Sequence, residues 1–308
     1  MRATVAAVAV CVLLASSAVA AINGPLFESS IQNKVAPEPY RVSVADFNND
    51  GINDMACAHY TGDSIAVMIG NGDGDFQPAV FYTIGSWQTD IQAANIDGDA
   101  AIELVVATSS NVYTLDNNGD GTFAAAVQIS GLANNPRTIR LALVDGDANL
   151  DLIVAHYDNV YTDLSVWDND GSGNFTFDNQ YTVGTYQTAM AVGDFDGING
   201  PDVVVGTTTP DYSVLLNDGS GGYSVHATYP LASTPRGMCA ANFDGGADIE
   251  IAISRYQSLT VYSNDGNGNF SVFSSLGTLD DGYCLSAADF DGSNGPDVAL
   301  TDDTTYVY

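Results

Sequence analysis

The chain has 308 residues, of which 45% are hydrophobic and 15% are charged, a balance typical of a globular protein with a sizeable core. The formal net charge is −31 at pH 7, because 38 acidic residues outnumber 7 basic ones. Such a surface repels the phosphate backbone and attracts cations, so we expect no nucleic-acid partner.

The N-terminus has the three parts of a secretory signal peptide. Arg2 gives a basic start, an apolar run extends from about Val5 to Leu14, and Ala18-Val19-Ala20 is an A-x-A cleavage site. No later stretch approaches the roughly 20 apolar residues of a membrane-spanning helix. We therefore expect a signal peptide at residues 1–20 and a secreted, monomeric domain without a membrane span at residues 21–308.

An acidic nonapeptide then recurs six times. The copies begin at positions 46, 95, 143, 194, 242 and 289, with spacings of 49, 48, 51, 48 and 47 residues. Their sequences are DFNNDGIND, NIDGDAAIE, LVDGDANLD, DFDGINGPD, NFDGGADIE and DFDGSNGPD, and we number these acidic loops one to six. A period so regular indicates a repeat architecture with very short insertions.

Each repeat has the pattern of four strands, named A to D. In the first repeat, strands A to D are predicted at residues 41–45, 55–59, 65–69 and 76 to about 84, as β-rich runs bounded by Gly, Asn and Asp. A Gly/Asn/Asp-rich turn ending in an aromatic residue separates strands C and D in five repeats. Four strands in about 50 residues match one blade of a β-propeller.

The sixth repeat reaches residue 308 near the end of its strand C and has no strand D of its own. Phe27 lies 49 residues before Phe76, the aromatic end of the first turn, and residues 27–35 have the length of a strand D. We expect this N-terminal strand to complete the sixth blade, because ring closure removes exposed sheet edges. The predicted fold is all-β, a six-bladed β-propeller of four-stranded blades, with a seven-bladed propeller as the alternative.

The acidic loops have the ligand chemistry of calcium sites. Calcium takes six to eight oxygen ligands, and alternate residues of a tight loop can direct several oxygens to one point. We expect positions 1, 3, 5 and 9 to supply side-chain oxygens and position 7 a main-chain carbonyl. The candidate ligands are Asp46, Asn48, Asp50, Ile52 and Asp54; Asn95, Asp97, Asp99, Ala101 and Glu103; Asp145, Asp147, Asn149 and Asp151; Asp194, Asp196, Gly200 and Asp202; Asn242, Asp244, Asp248 and Glu250; and Asp289, Asp291, Ser293, Gly295 and Asp297.

Loops one, two and six fill every position, whereas Leu143, Ile198 and Gly246 leave gaps in loops three, four and five. The alternative is that these are solvated acidic turns. Three carboxylates in every loop would repel one another without a cation, which favours metal binding. An EF-hand does not fit loop one, because Cys57 stands where that motif needs a bidentate Glu.

The loop sequence, in the form DFDGSNGPD, resembles the FG-GAP and VCBS-like repeats of integrin α-subunit heads and of secreted propellers. The resemblance covers about residues 22–308. It implies that the loops join strands A and B and bind calcium. For an integrin-like protein it also implies a role in cell adhesion. This chain departs from integrin heads in having six repeats rather than seven and no leg domain or membrane anchor.

The opposite ends of the strands have a different composition, rich in aromatic and basic residues. Strand direction alternates, so the B-to-C and D-to-A connections should share the face away from the acidic loops. Tyr40 belongs to this group of strand-end residues. The candidate ligand-binding residues there are Arg41, His59, Tyr60, Trp87, Arg137, His156, Tyr157, Tyr186, Arg236, Arg255, Tyr256 and Tyr283.

Arginine beside aromatic rings suggests a concave site for an anionic or hydroxyl-rich ligand, while the alternative is that these rings cap a β-core. We expect a binding module for an extracellular glycan or protein. The alternative is a polysaccharide lyase, or another carbohydrate-active enzyme, with Tyr or His as base and acid. Cys57, Cys239 and Cys284 are either three strand thiols or one disulfide plus one thiol.

Overall fold

The computed structural model describes residues 10–12, 38–132, 135–158, 163–277, 282–290, 292 and 295–302. These residues form β-strands and turns, and this part of the chain contains no helix with the length and hydropathy needed to cross a membrane. The all-β prediction is confirmed.

The strands in chain order are β1 Val10–Val12, β2 Pro39–Ala45, β3 Asp54–His59, β4 Ser64–Met68, β5 Val80–Thr83, β6 Gln88–Ala94, β7 Glu103–Thr108, β8 Val112–Leu115, β9 Val127–Gln128, β10 Pro136–Ala142, β11 Asp151–His156, β12 Asp163–Asn169, β13 Phe175–Thr182, β14 Gln187–Gly193, β15 Asp202–Thr207, β16 Asp211–Asn217, β17 Tyr223–Pro230, β18 Pro235–Ala241, β19 Glu250–Arg255, β20 Ser258–Asn264, β21 Phe270–Gly277, β22 Gly282–Ala288 and β23 Asp297–Asp302.

Consecutive strands pair in antiparallel sheets. Strands β2 to β21 form five four-stranded sheets in chain order, which we call sheets one to five, and each contains the four strands A to D of one repeat. Sheet six has three strands, in the order β1, β23, β22. The A strands of consecutive sheets contact one another from β2 through β22, which gives a propeller-like arrangement around those inner strands.

Buried apolar clusters join each sheet to the next. In the first of these clusters, Ala56 and Ile65 of sheet one pack against Ile91 and Leu104 of sheet two. The residues equivalent to Ile91 in the next A strands, Ile139, Met190 and Met238, are at most 3% exposed. The A strands of sheets two to five therefore cover the sheet that precedes each of them, because this removes one apolar face of that sheet from water.

An asparagine at the end of strand C also links each sheet to the preceding acidic loop. Its Nδ2 donates to the main-chain carbonyl at loop position 2 in the preceding sheet, over 2.8 to 2.9 Å. The pairs are Asn117 with Phe47, Asn169 with Ile96, Asn217 with Val144, and Asn264 with Phe195. In sheet one this position is Gly70, which has no side chain to reach sheet six.

The junction between sheets six and one differs from the others. Val42 and Val44, on the face of β2 that its equivalents use to cover a preceding sheet, are 52% and 56% exposed. Arg41 Nη1 lies 2.8 Å from Cys284 Sγ in β22 and links the two sheets there. Closure through a shared sheet is not seen in the described residues, and the N-terminal strand predicted at residues 27–35 lies outside them. The end of the sixth repeat, from residue 303 to residue 308, lies outside them as well.

Strand β1 occupies the third position of sheet six, where Val10 pairs with Leu300 and Val12 with Val298. This segment belongs to the predicted signal peptide. In a chain cleaved after Ala20 it would be absent, and the edge of β23 would be open to another strand.

Cys57, Cys239 and Cys284 are free thiols in strands, so the prediction of three strand thiols is confirmed over the single disulfide. Burial raises the pKa of Cys57 to about 11 and that of Cys239 to about 12. Both thiols are therefore protonated at neutral pH, which makes them poor nucleophiles.

Candidate functional site

Each acidic loop connects the first and second strands of its sheet, as the resemblance implies. Loops one to five lie within the described residues, whereas Asp291 and Ser293 of loop six lie outside them. The loops therefore share one end of the A strands.

The carboxylate at position 9 is buried and anchors its loop. Asp202 is fully buried; its Oδ2 accepts from Phe195 N at 2.7 Å and its Oδ1 from Asn217 N at 2.8 Å. Asp54 and Asp151 accept two main-chain N–H groups in the same way. This residue holds the loop against strand C even without an ion, while its remaining lone pairs stay available to a ligand.

Position 3 shapes the loop through short side-chain turns. Asp196 Oδ1 accepts from Ile198 N at 3.0 Å, and Asp97 Oδ1 accepts from Asp99 N at 3.0 Å. Asx turns of this kind direct several oxygens toward one side of a tight loop. The loop conformation is thus established by its own residues.

Three groups of carboxylates have oxygen atoms within 4.8 Å of one another in the described residues. They are Asp97, Asp99 and Glu103; Asp145, Asp151 and Asp168; and Asp194, Asp196 and Asp202. They belong to loops two, three and four. The sequence predicted a full set of ligands in loops one, two and six, whereas the carboxylates come together in loops two, three and four.

Asp168 is a candidate ligand that the sequence analysis missed. It lies in β12, outside the nonapeptide, and joins loop three, where Leu143 at position 1 is 45% exposed and offers no oxygen. Partial burial, followed by the charges of Asp145 and Asp147, raises the pKa of Asp168. The available signal was its place directly before Asn169, the residue that links sheets two and three.

Glu103 in loop two has an unused ligand atom. Its side chain is buried, Oε2 accepts from Ile96 N at 2.9 Å, and Oε1 has no hydrogen-bond partner among the residues that the structure describes. Burial, together with repulsion from Asp97 and Asp99, raises the pKa of Glu103 to about 7. A buried acceptor without a donor is costly, so the donor set here fits a hard cation.

The same effect recurs in loops three and four. Burial raises the pKa of Asp151 and of Asp202 to about 6, although two main-chain hydrogen bonds oppose the shift at each carboxylate. Neighbouring loop carboxylates add to the increase at both sites. A bound cation would reverse this balance, because it favours the ionised form.

The opposite ends of the A strands present aromatic side chains on unusual backbone. Trp87 and Tyr186, each directly before an A strand, have φ angles of 65° and 52°. A bulky residue at positive φ is rare, and such conformations concentrate at functional sites. The carbonyl of Trp87 accepts from Ser109 N at 2.9 Å, and that of Tyr186 accepts from Thr208 N at 3.1 Å, which fixes both turns.

Rings and guanidinium groups from different sheets converge near these turns. The ring of Tyr40 lies 5.2 Å from that of Tyr60, with the Cζ of Arg41 at 4.2 Å from its centroid. Arg137 of sheet three lies over Tyr40 of sheet one at 5.7 Å and over Tyr157 at 5.6 Å. Sheet two separates sheets one and three, so Arg137 reaches across it.

Two further ring pairs extend this group. Trp87 contacts Tyr60 at 5.2 Å, and Tyr186 contacts Tyr157 at 5.0 Å, each between neighbouring sheets. We call the whole set the aromatic–arginine cluster. It consists of Tyr40, Arg41, Tyr60, Trp87, Arg137, Tyr157 and Tyr186.

Other predicted residues are placed differently. His59 and His156 are buried, with Nδ1 of His59 at 2.9 Å from Ser64 O and Nε2 of His156 at 2.8 Å from Ser165 Oγ. They support the strand ends from inside the sheets, where a bound ligand would not reach them.

Sheets five and six hold the remaining predicted residues. Arg236 lies over Tyr283 at 4.7 Å, while Arg255 Nη2 donates to Thr260 Oγ1 at 2.9 Å within its own sheet. Tyr256 is 56% exposed. The structure therefore joins Arg236 to Tyr283 but turns Arg255 toward its own strand C.

Consecutive four-stranded sheets, inner A strands and acidic A-to-B loops define a propeller-like repeat protein. The FG-GAP-like repeat model matches residues 46–106 and 95–154, and the matches begin at loops one and two. Residues 46–154 of the chain therefore contain FG-GAP-like repeats. No curated protein matches it in sequence.

Solved structures with the same fold are known. A lectin from Agrocybe aegerita, which recognises non-reducing terminal N-acetylglucosamine, is 21% identical; the match covers 86% of this chain and 71% of that one, with a TM-score of 0.58. BBS1N, solved in complex with ARL6DN, is 12% identical, with coverages of 88% and 81% and a TM-score of 0.60. A Lactobacillus plantarum protein is 14% identical, with coverages of 80% and 73% and a TM-score of 0.54. At these identities the similarity concerns the fold.

Proposed function

We propose that this protein is a secreted, calcium-binding, six-bladed β-propeller that acts as a binding module for an extracellular carbohydrate. The signal peptide at residues 1–20 and the closed ring are parts of this proposal. The binding surface is the aromatic–arginine cluster, at the end of the A strands away from the acidic loops.

The observation that supports the binding surface best is the position of Arg137. Its guanidinium lies within 6 Å of two tyrosine rings from different sheets, at 5.7 Å from Tyr40 and 5.6 Å from Tyr157. Residues 97 positions apart in sequence thus meet at one end of the inner strands. Surfaces where several sheets contribute rings and polar groups are typical ligand sites.

Calcium would bind at the other end of the molecule and hold the loops in register. Calcium supplies positive charge that neutralises the clustered carboxylates when it is bound. Glu103 Oε1 and the three carboxylate groups provide the oxygen-rich donor sets, and Asp54, Asp151 and Asp202 keep the loops folded.

A carbohydrate suits the cluster because sugars combine an apolar ring face with hydroxyl groups. Trp87 and Tyr157 are 51% and 42% exposed, so their rings are accessible for stacking. The lectin of Agrocybe aegerita has a related fold and is a carbohydrate-binding protein, which adds support. The lyase alternative has no comparable support, since the histidines at these strand ends are buried.

A glycan array on the calcium-loaded protein tests this function. We expect binding to a defined set of oligosaccharides, weakened at least about tenfold by Trp87→Ala, since one aromatic stacking contact contributes on this scale. Phe81→Ala is the matched control, because Phe81 is 50% exposed on an outer strand of sheet one. Binding only to extracellular proteins, or equal loss in both variants, would contradict the carbohydrate proposal.

A further inference from the structure

A β-bulge recurs at the same place in all six A strands. The pairing with strand B shifts by one residue near the start of each A strand, so one residue per strand is left out of register. These residues are Tyr40, Thr89, Arg137, Thr188, Arg236 and Tyr283. We call them the bulge ring.

The bulge explains why side chains from separate sheets meet. A bulge bends its strand and redirects the side chain of the extra residue, and bulges are common at barrel rims and beside active sites. Two of the contacts within the bulge ring are Arg137 over Tyr40 at 5.7 Å and Arg236 over Tyr283 at 4.7 Å. Six copies of one backbone irregularity thus build one composite surface at the end of the inner strands.

Arg137 differs from other arginines in what its donors contact. Arg41 donates to Cys284 Sγ, Arg140 forms an ion pair with Asp90 at 3.1 Å, and Arg255 donates to Thr260. The guanidinium of Arg137 has neither a hydrogen-bond acceptor nor an acidic partner among the described residues, and it lies between two rings. A planar fork of five donors, held half-buried by aromatic faces, is suited to a carboxylate.

We infer that the bulge ring is the specificity element of the binding site, and that Arg137 binds the carboxylate of an acidic saccharide. This inference rests on the proposed function. The threonines of the bulge ring serve the fold instead. Thr89 is buried and its Oγ1 donates to Pro136 O at 2.8 Å, which holds sheets two and three together, and Thr188 Oγ1 donates to Gly206 O at 3.3 Å. Tyr40 and Tyr157 flank the guanidinium and supply ring faces for the sugar.

The net charge of the protein limits which acidic ligands it can bind. At −31 the protein repels polyanions at long range, so each added negative charge on a ligand weakens its approach. A saccharide with one isolated carboxylate gains the contact with Arg137 at the smallest electrostatic cost. An acidic peptide would add charges without the flat hydroxylated ring that the aromatic faces accommodate.

The test compares saccharides that differ in one group. An array of carboxylated, sulfated and neutral glycans first identifies the sugar sequence that the protein binds. The calcium-loaded protein is then titrated with versions of that oligosaccharide that end in glucuronic acid, glucose or a sulfated glucose, and with a Glu-rich peptide. We expect the carboxylated form to bind at least about tenfold more tightly than the neutral one. Arg137→Gln should lower the affinity for the carboxylated form at least about tenfold more than the affinity for the neutral form, which removes the preference, while Arg137→Lys should restore part of it. Melting temperatures confirm that both variants are folded.

Each other outcome overturns a different statement. If the natural protein binds the neutral and carboxylated forms equally well, and Arg137→Gln does the same, the protein is still a binding module but Arg137 does not bind a carboxylate. Tighter binding of the sulfated form, or binding of the peptide alone, would refute the choice of an isolated carboxylate on a sugar. An array with no bound glycan would refute the proposed function together with this inference.

Discussion

Asn217 Nδ2 donates to the carbonyl of Val144 at 2.9 Å, although 73 residues separate the two in sequence. The same amide donates to Pro201 O at 3.2 Å, and Asn217 N donates to Asp202 Oδ1 at 2.8 Å. One buried side chain therefore connects loop three of the preceding sheet with loop four of its own sheet. Because the contact recurs at Asn117, Asn169 and Asn264, the acidic loops form a linked series rather than independent turns.

Asn217→Asp tests that link. The substitution keeps the shape of the side chain but removes the donor to two carbonyl groups and places a charge beside Asp202. We expect the free energy of unfolding to fall by about 2 kcal/mol or more, since unpaired buried polar groups cost about 1 to 3 kcal/mol. Urea denaturation measures it. Asn179→Asp, on the exposed outer strand β13, adds the same charge and should change stability little.

Calcium removal should lower the melting temperature. A ligand that binds only the native state adds RT ln(1 + [L]/Kd), about 2.7 kcal/mol per site at a hundredfold excess over Kd. Scanning calorimetry in EDTA, in calcium-saturated EDTA and after calcium is restored separates the ion from the chelator. An identical melting curve after verified metal removal would show that the loops are solvated acidic turns.

The stability of the metal-free protein should fall as pH rises from about 4 to about 7. Asp151 and Asp202 have pKa values of about 6 in the folded state and Glu103 about 7, whereas an unfolded chain has about 4. The folded state then holds more protons than the unfolded state in this window, so deprotonation favours unfolding. With calcium present the sign should reverse, because the ion favours ionised carboxylates. Melting temperatures at about pH 5 and about pH 7.5, with and without EDTA, show whether stability falls or rises with pH in each case.

Asp168→Asn should weaken calcium binding at loop three. Asp168 supplies the third carboxylate of that group, in place of the oxygen ligand that Leu143 cannot offer. We expect the affinity of one site to fall about tenfold, or one calcium per molecule to be lost, measured by isothermal titration on the desalted protein. Asp116→Asn is the control, because Asp116 holds the equivalent position in sheet two and belongs to none of the carboxylate groups among the described residues. Equal behaviour of the two variants would exclude Asp168 from the site.

The repeat could be predicted from the sequence because it is local. Loop residues at fixed spacing and short β-rich runs identify four strands per repeat, and the strand bounds agree within a few residues except in strand D. In sheet one, strand D is Val80–Thr83. Phe76, its predicted start, makes only an isolated bridge with Gly70, because the preceding turn extends further than its composition indicates.

Features that combine residues from different strands or sheets could not be predicted without the fold. Asp168 joins loop three only because β12 passes beside it, and no spacing rule within the nonapeptide includes that residue. The bulge ring depends on a register shift between strands A and B, and the residues at the shift are two tyrosines, two threonines and two arginines, so no single residue type marks the position. His59 and His156 were predicted as ligand-binding residues because of their type and position, but they are buried, and burial depends on packing that the sequence does not show.

Ring closure is the part of the proposed architecture that depends on the junction between sheets six and one. Val42 and Val44 are exposed there, whereas Ile91 and its equivalents in the next three A strands are buried against a preceding sheet. Gly70 removes the asparagine link, and Phe290 at position 2 of loop six is 46% exposed. Apolar side chains on the inner strand of a propeller need a covering sheet, so a completed sixth blade should bury them.

Val44→Asp therefore measures closure. In a closed ring it places a charge in an apolar contact between sheets six and one, and the free energy of unfolding should fall by about 2 kcal/mol or more. Val127→Asp is the matched control, since Val127 is 64% exposed on the outer strand β9, where a surface substitution changes stability by about 0.5 kcal/mol or less. Urea denaturation of the mature, calcium-loaded protein gives both values. If Val44→Asp costs no more than Val127→Asp, this face of β2 is open to solvent and the closed six-bladed ring is wrong.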